Sequence, residues 1–291
     1  MILKLGLVVL NYNDSQRTKE CVETACKYDL LANIVVVDNC STDGSFEILK
    51  KLLSGKCDVI KSEGNFGYAY GNNYGMQYLK NKYCIDVFVI SNPDVIFKEN
   101  IINAFKSAFE ETDYAAVSGI MKDLSGKVNY FTYWNKKTFW DDVLDCVCLL
   151  RWFKRKRNPK VINSEKQIMT VDTVHGSFFA IRSEVMVNIG YLDESTFLYY
   201  EEDIFARRLH RFGYKIGILT GVDFIHAHKS SKHILRDHKR YLKSKWTYEI
   251  KYNNINTLKK AILKVMMAYS YTETLMLIPV KNFVRICGKR K

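Results

Sequence analysis

Acidic and amide side chains follow four apolar segments of this sequence, each at the point where a buried strand is expected to end. The four polar segments are residues 11–14, 38–44, 63–67 and 92–95. Such side chains bind the base and ribose of a nucleotide by hydrogen bonds, and its diphosphate through a divalent cation. Because ligands of open α/β sheets lie outside the carboxyl ends of the strands, the four segments together predict one binding site.

Strands and helices that would position these segments alternate along the first half of the chain. The apolar or β-rich runs that predict strands lie at residues 3–10, 34–37, 58–61 and 86–91. The patterns that predict helices lie at residues 15–27, 43–53, 68–80 and 99–110. This alternation is typical of βαβ units and predicts an α/β fold with a mostly parallel sheet flanked by helices.

Several classes of nucleotide-binding and metal-binding protein are excluded by the motifs. No GxGxxG follows the first apolar run and no GxxxxGK[ST] occurs in the sequence, which argues against a dehydrogenase and a P-loop NTPase. The eight cysteines show no CxxC spacing, and Cys146 and Cys148 have no second pair at zinc-finger spacing. We therefore expect reduced cysteines in a cytosolic protein and no zinc site.

The formal charge of +13 is concentrated in two segments. Residues 229–260 contain ten Lys or Arg against Asp237 and Glu249, and residues 151–160 read RWFKRKRNPK. Nucleic acid, an anionic lipid surface and a lipid-diphosphate acceptor would all satisfy this charge, and charge alone does not choose among them. The apolar run 265–280 contains Glu273 and Pro279 and does not predict a convincing membrane span.

Four motifs, in order and spacing, resemble those of family 2 glycosyltransferases. They are VVLNYND at residues 8–14, VVVDNCSTDGS at 35–45, GNFGYAYGNNYG at 64–75 and SNPDV at 91–95. The likeness is nearest to the bacterial rhamnosyl- and galactofuranosyl-transferase-like enzymes that build O-antigens and capsules. It implies a GT-A (Rossmann-like) fold and an inverting, metal-dependent transfer of a sugar from a nucleoside-diphosphate sugar to a hydroxyl group.

The same resemblance implies a domain organisation. It covers residues 1–230, read as a catalytic domain with a nucleotide-sugar half at about 1–119 and an acceptor half at 120–230. Residues 231–291 are then a helical, basic C-terminal extension. Within it, one helix face is predicted to carry Leu258, Ile262, Val265, Met266 and Tyr269.

The resemblance also implies which residues bind the UDP- or dTDP-sugar donor. Asp38 is the strongest single candidate, and a packing role for Gly71 and Gly75 competes with close approach to the donor. The predicted nucleotide-sugar-binding residues are Asn11, Asp14, Asp38, Asn39, Ser41, Asp43, Gly64, Asn65, Asn72, Asn73 and Asn92.

The family's DxD metal motif corresponds here to Asn92-Pro93-Asp94, in which an amide replaces the first carboxylate. Asp94 is therefore the expected ligand of Mn²⁺ or Mg²⁺, and a simple Asn-Pro-Asp turn is the alternative. Residues 224–231 resemble the segment that closes over the diphosphate and supplies a histidine to the metal. His226 and His228 alternate along a predicted strand, so one of the two would face the site.

An acidic trio, Glu201, Glu202 and Asp203, follows an aromatic run and resembles the segment that carries the family's general base. The Glu-Asp dipeptide of the family selects Asp203, which we prefer, whereas ungapped matching from the aromatic run selects Glu202. Favourable interaction of the three acids with a helix N-terminus is the structural alternative. The predicted acceptor-side residues are Glu201 of the trio and, upstream, His175 and Gly176, although a lone histidine is more often structural.

The predicted acceptor is a glycan or a lipid-diphosphate-linked oligosaccharide in surface polysaccharide synthesis. The basic extension, with Trp152 and Trp246, suits a cytoplasmic protein peripheral at the inner face of the cell membrane and no nucleic-acid partner. Two alternatives are a sugar nucleotidyltransferase, which normally needs a glycine-rich, arginine-bearing loop after the first strand, and a non-catalytic basic nucleic-acid-binding protein, which leaves the acids after the strands unexplained.

Overall fold

The computed structural model describes residues 3–148, 150, 166–227 and 233–287, with side chains up to residue 278. The chain forms two compact units. The first contains the described residues of 1–136, 161–197 and 201–228, and the second those of 137–160, 198–200 and 229–291. The domain boundaries expected at residues 119 and 230 stay predictions.

Strands occur in the first unit wherever the apolar runs predict them, with ends shifted by a few residues. Their buried residues are mostly aliphatic, as expected for a sheet covered on both faces. The strands are β1 (Leu5–Asn11), β2 (Leu31–Asp38), β3 (Cys57–Lys61), β4 (Val87–Ser91), β5 (Val95–Ile96), β6 (Ala116–Lys122), β7 (Tyr133–Trp134), β8 (Ile168–Val171), β9 (Thr173–Val174), β10 (Phe178–Arg182) and β11 (Ile216–His226).

The main sheet has the strand order β3-β2-β1-β4-β10-β6-β11-β5, and β8 pairs with β11. Strands β3, β2, β1 and β4 are parallel, as are β6 and β11, whereas β10 runs antiparallel to β4 and β6. Within the described residues, β7 and β9 form a separate antiparallel pair. The predicted α/β fold with a mostly parallel sheet flanked by helices is confirmed.

Helices follow the predicted pattern, although the second is interrupted early. There α2 begins after Gly44, whose φ is 83°, and passes into a 3₁₀ turn at Lys50–Leu52. The helices are α1 (Ser15–Ala25), α2 (Ser45–Leu49), α3 (Tyr68–Tyr83), α4 (Glu99–Glu111), α5 (Phe139–Leu144), α6 (Ser183–Asn188), α7 (Glu201–Arg211), α8 (Ile234–Lys251) and α9 (Thr257–Cys287).

Helix α3 packs unusually close to the sheet because two glycines face β1. A Cβ atom at Gly71 would lie 2.3 Å from Leu10 Cδ1, and one at Gly75 would lie 2.6 Å from Val8 Cγ1. Real Cβ contacts are essentially never this short. The packing explanation for these two glycines is therefore the one that the structure supports.

The second unit is built around a small apolar core and a buried polar cluster. The core contains Phe139, Val143, Ile255 and Leu263. In the polar cluster, the Tyr200 hydroxyl donates to Asp142 Oδ1 at 2.7 Å and Lys245 Nζ donates to the Asp142 carbonyl at 2.6 Å. The fully buried Glu249 completes the cluster.

Glu249 has an altered pKa in this cluster. Burial, together with the neighbouring Asp142 carboxyl, raises the pKa of Glu249 from 4.5 to about 7. In the unfolded chain the pKa returns to its ordinary value, so between these two values the folded protein holds a proton that the unfolded chain has lost. The contribution of Glu249 to folding stability is therefore fully present below about pH 4.5 and falls as the pH rises through about 7.

We expect Glu249→Gln to remove the loss of folding stability that ionisation of Glu249 causes as the pH rises. A glutamine keeps an acceptor for Asn253 Nδ2, which lies 2.9 Å from Glu249 Oε1, and adds no charge beside Asp142. The melting temperature of the variant minus that of the wild type should increase by a few degrees between pH 5 and pH 8. Glu23→Gln, at an exposed ion pair with Lys19, is the matched control and should show no such trend. A difference that stays constant with pH would contradict the assignment.

Helix α9 carries apolar residues on two sides. The five residues predicted to share one helix face lie in two different environments. Ile262 and Met266 pack against the core of the second unit, whereas Leu258, Val265 and Tyr269 are exposed. In the described part of the chain, one stretch is long and apolar enough to cross a membrane by length and composition: Thr257–Ile278, of mean hydropathy 1.2 and 17% buried. It ends before Pro279 and begins earlier than the run considered from sequence. A single helix of this kind is weak evidence for a membrane span, because core helices of soluble proteins can have the same length and hydropathy.

Candidate functional site

Three of the predicted donor-binding residues meet at the carboxyl ends of β1 and β2. Asn11 Nδ2 donates to Asp38 Oδ2 at 2.8 Å and to Ser41 Oγ at 3.1 Å, and the Ser41 backbone N–H donates to Asp38 Oδ1 at 2.9 Å. Asn11 and Asp38 are fully buried. The parallel register, which pairs Asn11 with Asp38, brings the two together. The Asp38 carboxylate is thus held in place by hydrogen bonds from two neutral groups, the Asn11 side-chain amide and the Ser41 backbone N–H.

A second group of amides lies beside this network. Asn39 Nδ2 donates to Asn65 Oδ1 and to the Gly67 carbonyl, both at 3.1 Å. The Gly67 N–H in turn donates to Asn65 Oδ1 at 3.2 Å. These bonds fold residues 64–67 back towards β2. Gly67 has a φ of 111° and a Cβ there would lie 2.3 Å from the Phe197 carbonyl oxygen, so only glycine fits at this position.

Asn73 lies apart from these groups and binds the loop before the acidic trio. Its Nδ2 donates to the Leu192 carbonyl at 2.9 Å and to Glu194 Oε1 at 2.7 Å, and its Oδ1 accepts from the Leu192 N–H at 2.9 Å. Asn72 is fully buried and donates to the Tyr68 carbonyl. The roles predicted for both asparagines in donor binding stay predictions.

The remaining donor-side residues occupy loop positions. Asp43 accepts from the Ser45 N–H at 3.0 Å, and hydrogen bonding from Ser45 lowers the pKa of Asp43. Asp14 lies 3.2 Å from the guanidinium of Arg17. The half-buried Asn92 donates its N–H to the Ser177 carbonyl at 2.8 Å. The carbonyl of Gly64 accepts from Ser62 Oγ at 3.1 Å.

Asp94 lies between two cationic or potentially cationic side chains. Its Oδ1 is 3.3 Å from His226 Nε2, and its Oδ2 is 3.8 Å from Arg17 Nη1. The Asp94 side chain is 12% exposed and that of His226 is 9% exposed. Pairing of β5 with β11, which places Val95 opposite His226, brings the carboxylate and the imidazole together. His228 lies outside the described residues, so the choice between the two histidines stays open.

A row of rings links this pair to the acceptor side. The ring centroids of His226 and His175 are 5.2 Å apart, and those of His175 and Trp134 are 6.4 Å apart at a steep angle. The Trp134 indole Nε1 donates to Asp203 Oδ1 at 2.8 Å. Residues far apart in sequence thus form one continuous line of contacts from Asp94 to Asp203.

The acidic trio forms the first turn of α7. Asp203 and Glu201 are buried, and Glu202 is half-buried with its Oε1 3.2 Å from the Gly176 N–H. The Tyr68 hydroxyl donates to the Gly176 carbonyl at 2.6 Å. Burial and then the nearby Glu202 and Glu201 carboxylates raise the pKa of Tyr68 well above its usual value. Negative charge is therefore concentrated beside Gly176.

The backbone immediately before the trio is strained. Tyr199 and Tyr200 have φ values of 74° and 69°, a conformation that costs free energy in residues with a Cβ. Two such residues in succession turn the chain sharply just before α7 begins.

Candidate metal ligands occur at most in pairs within the part of the chain that the structure describes. Among residues 3–148, 150, 166–227 and 233–287, no group of three or more His, Cys, Asp or Glu is placed to hold a metal ion. Asp94 and His226 are the predicted ligands that the structure does bring together. Cys146 lies in the buried polar cluster of the second unit, 3.7 Å from Lys245 Nζ.

Two residues of this site were missed by sequence reasoning. Arg17 lies three residues after Asp14 on α1, a spacing at which opposite charges meet, so the ion pair with Asp14 was detectable. Trp134 lies in the two-residue strand β7, within the aromatic-rich segment 130–134. Its contact with Asp203, 69 positions away, has no signal in the sequence.

Comparison with solved structures identifies the fold as that of GT-A glycosyltransferases. The mannosyltransferase PcManGT of Pyrobaculum calidifontis, solved with GDP-Man and Mn²⁺, is similar over 98% of this chain and 79% of its own, with a TM-score of 0.57 and 15% identity. Identity at this level supports the fold and no more.

The family follows from sequence. The model of glycosyl transferase family 2 matches residues 7–190, and the chain belongs to this family. It is 30% identical to the low-salt glycan biosynthesis hexosyltransferase Agl10 of Haloferax volcanii over 227 residues, 78% of this chain and 68% of that protein. It is 23% identical to the rhamnosyltransferase WbbL of Escherichia coli K12 over 250 residues, 83% of this chain and 91% of that protein.

These matches confirm the family and the fold expected from the four motifs. The protein is a glycosyltransferase, which decides against a sugar nucleotidyltransferase and against a non-catalytic nucleic-acid-binding protein. The individual site residues stay predictions, because neither comparison tests them. The structure brings together Asn11, Asp38 and Ser41 at one point. It also places Asp94, His226, His175 and Asp203 along one line, in which Trp134 connects His175 with Asp203.

Proposed function

We propose that this protein transfers a hexosyl or deoxyhexosyl unit from a UDP- or dTDP-sugar to a hydroxyl group of a glycan or of a lipid-diphosphate-linked oligosaccharide. The observation that carries the proposal is the line of contacts from Asp94 to Asp203, which connects a donor-side carboxylate with an acceptor-side carboxylate. The similarity to a hexosyltransferase and to a rhamnosyltransferase supports the class of sugar.

Asp94 and His226 fit the ligand chemistry of a divalent cation such as Mn²⁺ or Mg²⁺. A carboxylate oxygen and an imidazole nitrogen are ligands that Mn²⁺ accepts, and the two atoms lie 3.3 Å apart. The presence of Mn²⁺ in the P. calidifontis mannosyltransferase supports the same cofactor here. When bound, the cation would offset the negative charge of the departing diphosphate. Arg17, 3.8 Å from Asp94, adds positive charge at the same place.

The chemistry needs one base and no covalent intermediate. Asp203 accepts the proton of the acceptor hydroxyl as the hydroxyl oxygen attacks the anomeric carbon, and the bond from that carbon to the diphosphate oxygen breaks on the opposite side. The sugar configuration therefore inverts. Asp203 is buried, which shields its carboxylate from bulk water.

A panel of UDP-, dTDP- and GDP-sugars tests the proposed function. The measurement is the shift in melting temperature on adding each sugar, with and without manganese, followed by transfer assays with the sugar that stabilises most. We expect manganese-dependent stabilisation by one donor and a product with the opposite anomeric configuration by NMR. Stabilisation by no nucleotide sugar in either condition would contradict the proposal.

The proposed location is the inner face of the cell membrane, and the surface of the second unit supports it. Helix α9 exposes Leu258, Val265, Tyr269 and Met276, which a period of 3.6 residues places on one stripe. The stripe is about 27 Å long by the helical rise. Helix α8 in the same unit exposes four cations, Arg236, Lys239, Lys243 and Lys251, which suit anionic lipid headgroups.

We expect the protein to cosediment with vesicles containing anionic lipid and to dissociate as salt rises, because the cations are screened. Removing two apolar side chains from the stripe by Val265→Ser and Met276→Ser should weaken binding at least about tenfold, since each buried apolar side chain contributes about 1.5–3 kcal/mol. Leu124→Ser, at an exposed turn of the first unit, is the matched control. Equal recovery with neutral and anionic vesicles would count against this location.

A further inference from the structure

Trp134 makes a directed contact with the proposed base. It lies on β7, where it pairs with Thr173 of β9, and its indole Nε1 donates to Asp203 Oδ1 at 2.8 Å. An indole N–H is a donor only, so the direction of this bond is unambiguous. A hydrogen bond to an ionised carboxylate is stronger than one between neutral groups. The bond fixes the rotamer of Asp203 and with it the direction of both carboxylate oxygens.

The neighbouring acid is held in a different way. Glu202 Oε1 accepts from the backbone N–H of Gly176, a bond that does not depend on the identity of any side chain other than Glu202. Asp203 is instead held by a side chain that comes from another element, 69 positions earlier in the chain. The orientation of Asp203 therefore depends on the side chain of Trp134.

The same indole also contacts the donor side. Its ring lies edge-on to His175 at 6.4 Å, and His175 lies 5.2 Å from His226, which faces Asp94. Trp134 thus lies between the proposed base and His175 in this line of contacts.

We propose that Trp134 is a positioning residue that holds the Asp203 carboxylate in the direction of the acceptor hydroxyl. The inference rests on the proposed function, in which Asp203 accepts the proton. Trp134 does not exchange a proton itself, because an indole N–H stays protonated throughout the physiological range. Its effect is on how often the carboxylate points at the acceptor oxygen, which is a condition for proton transfer.

Trp134→Phe tests this role, because phenylalanine keeps a ring beside His175 and removes the N–H donor. We expect kcat for transfer to fall about 10- to 100-fold, as is typical for loss of a hydrogen bond to a charged group, with donor KM and calorimetric donor affinity unchanged. Trp140→Phe is the matched control, since Trp140 is 56% exposed on α5 of the second unit. The control should leave both kcat and KM near wild type.

A double-mutant cycle separates positioning from packing. If Trp134 acts through Asp203, then adding Trp134→Phe to Asp203→Asn should lower single-turnover transfer no further. A packing role would instead lower the rate by the same factor in both backgrounds and reduce the melting temperature in both. That additive result, or an unchanged kcat for Trp134→Phe, overturns the inference.

The cycle also distinguishes failure of this inference from failure of the proposed function. If Asp203→Asn alone transfers sugar at the wild-type rate, Asp203 is not the base and the positioning role of Trp134 fails with that assignment, whereas sugar transfer itself stands; a wild type that transfers no sugar would instead contradict the proposed function. If Asp203→Asn is slow while Trp134→Phe is not, the base is correct and only the positioning role is wrong. The slow single-turnover rates are measured with the enzyme in excess over the nucleotide sugar.

Discussion

Asp203→Asn is expected to slow sugar transfer by about 10²–10⁴-fold while leaving donor affinity near that of the wild type. The substitution removes the proton acceptor but keeps an oxygen that accepts the hydrogen bond from Trp134 Nε1. The fold around the buried side chain should therefore be preserved. Two measurements check this expectation: the transfer rate at saturating nucleotide sugar, and the affinity for the nucleotide sugar by calorimetry.

Substitutions of the other two acids complete this experiment. Glu202→Gln and Glu201→Gln should retain most of the transfer rate, because we assign neither carboxylate to proton transfer. If Glu202→Gln is slow and Asp203→Asn is active, the ungapped match to the family was the correct one and Glu202 is the base. Wild-type rates in all three variants would exclude a general base in this trio altogether.

Asp94→Asn is expected to remove most of the divalent-dependent part of donor binding. Asp94 is the carboxylate that remains in the Asn92-Pro93-Asp94 motif, and an amide is a much weaker ligand for a hard cation. We expect donor affinity in manganese or magnesium to fall at least about tenfold, equivalent to about 1.4 kcal/mol, and affinity in EDTA to change little. Calorimetry with and without the cation measures both.

Two further variants make this result specific. Asn92→Asp restores the acid that the family motif has at this position and should be tolerated. Asp223→Asn removes a carboxylate from an exposed ion pair with Lys122 and should leave donor affinity unchanged. Donor affinity in magnesium or manganese that is the same for Asp94→Asn and the wild type would show that the metal assignment is wrong.

The positions of the strands and the location of the site follow from local features of the sequence. Apolar runs ending in polar segments predicted β1 to β4, and the carboxyl ends of parallel strands necessarily lie at one edge of the sheet. The register of β1 and β2 therefore brings Asn11 and Asp38 together, although 27 positions separate them. Amino-acid type and periodicity suffice for this step because β1, β2 and β4 are buried over most of their length.

Other features depended on packing between distant segments. Trp134 meets Asp203, Asn73 binds Leu192 and Glu194, and each contact spans from 69 to 121 positions. No periodicity encodes such pairs. Each partner lies in a segment whose local conformation alone does not determine where its side chain is placed.

The sequence by itself determined the family, the α/β fold and the edge of the sheet at which the polar residues gather. Only the tertiary structure decided that Asp94 faces His226 and Arg17, and that Asp203 is held by an indole while Glu202 is held by a backbone N–H. Strand periodicity is a local property, set by burial of alternate or successive side chains. The direction of a carboxylate is set by partners that folding brings from elsewhere in the chain, so it becomes visible only when those partners are in place.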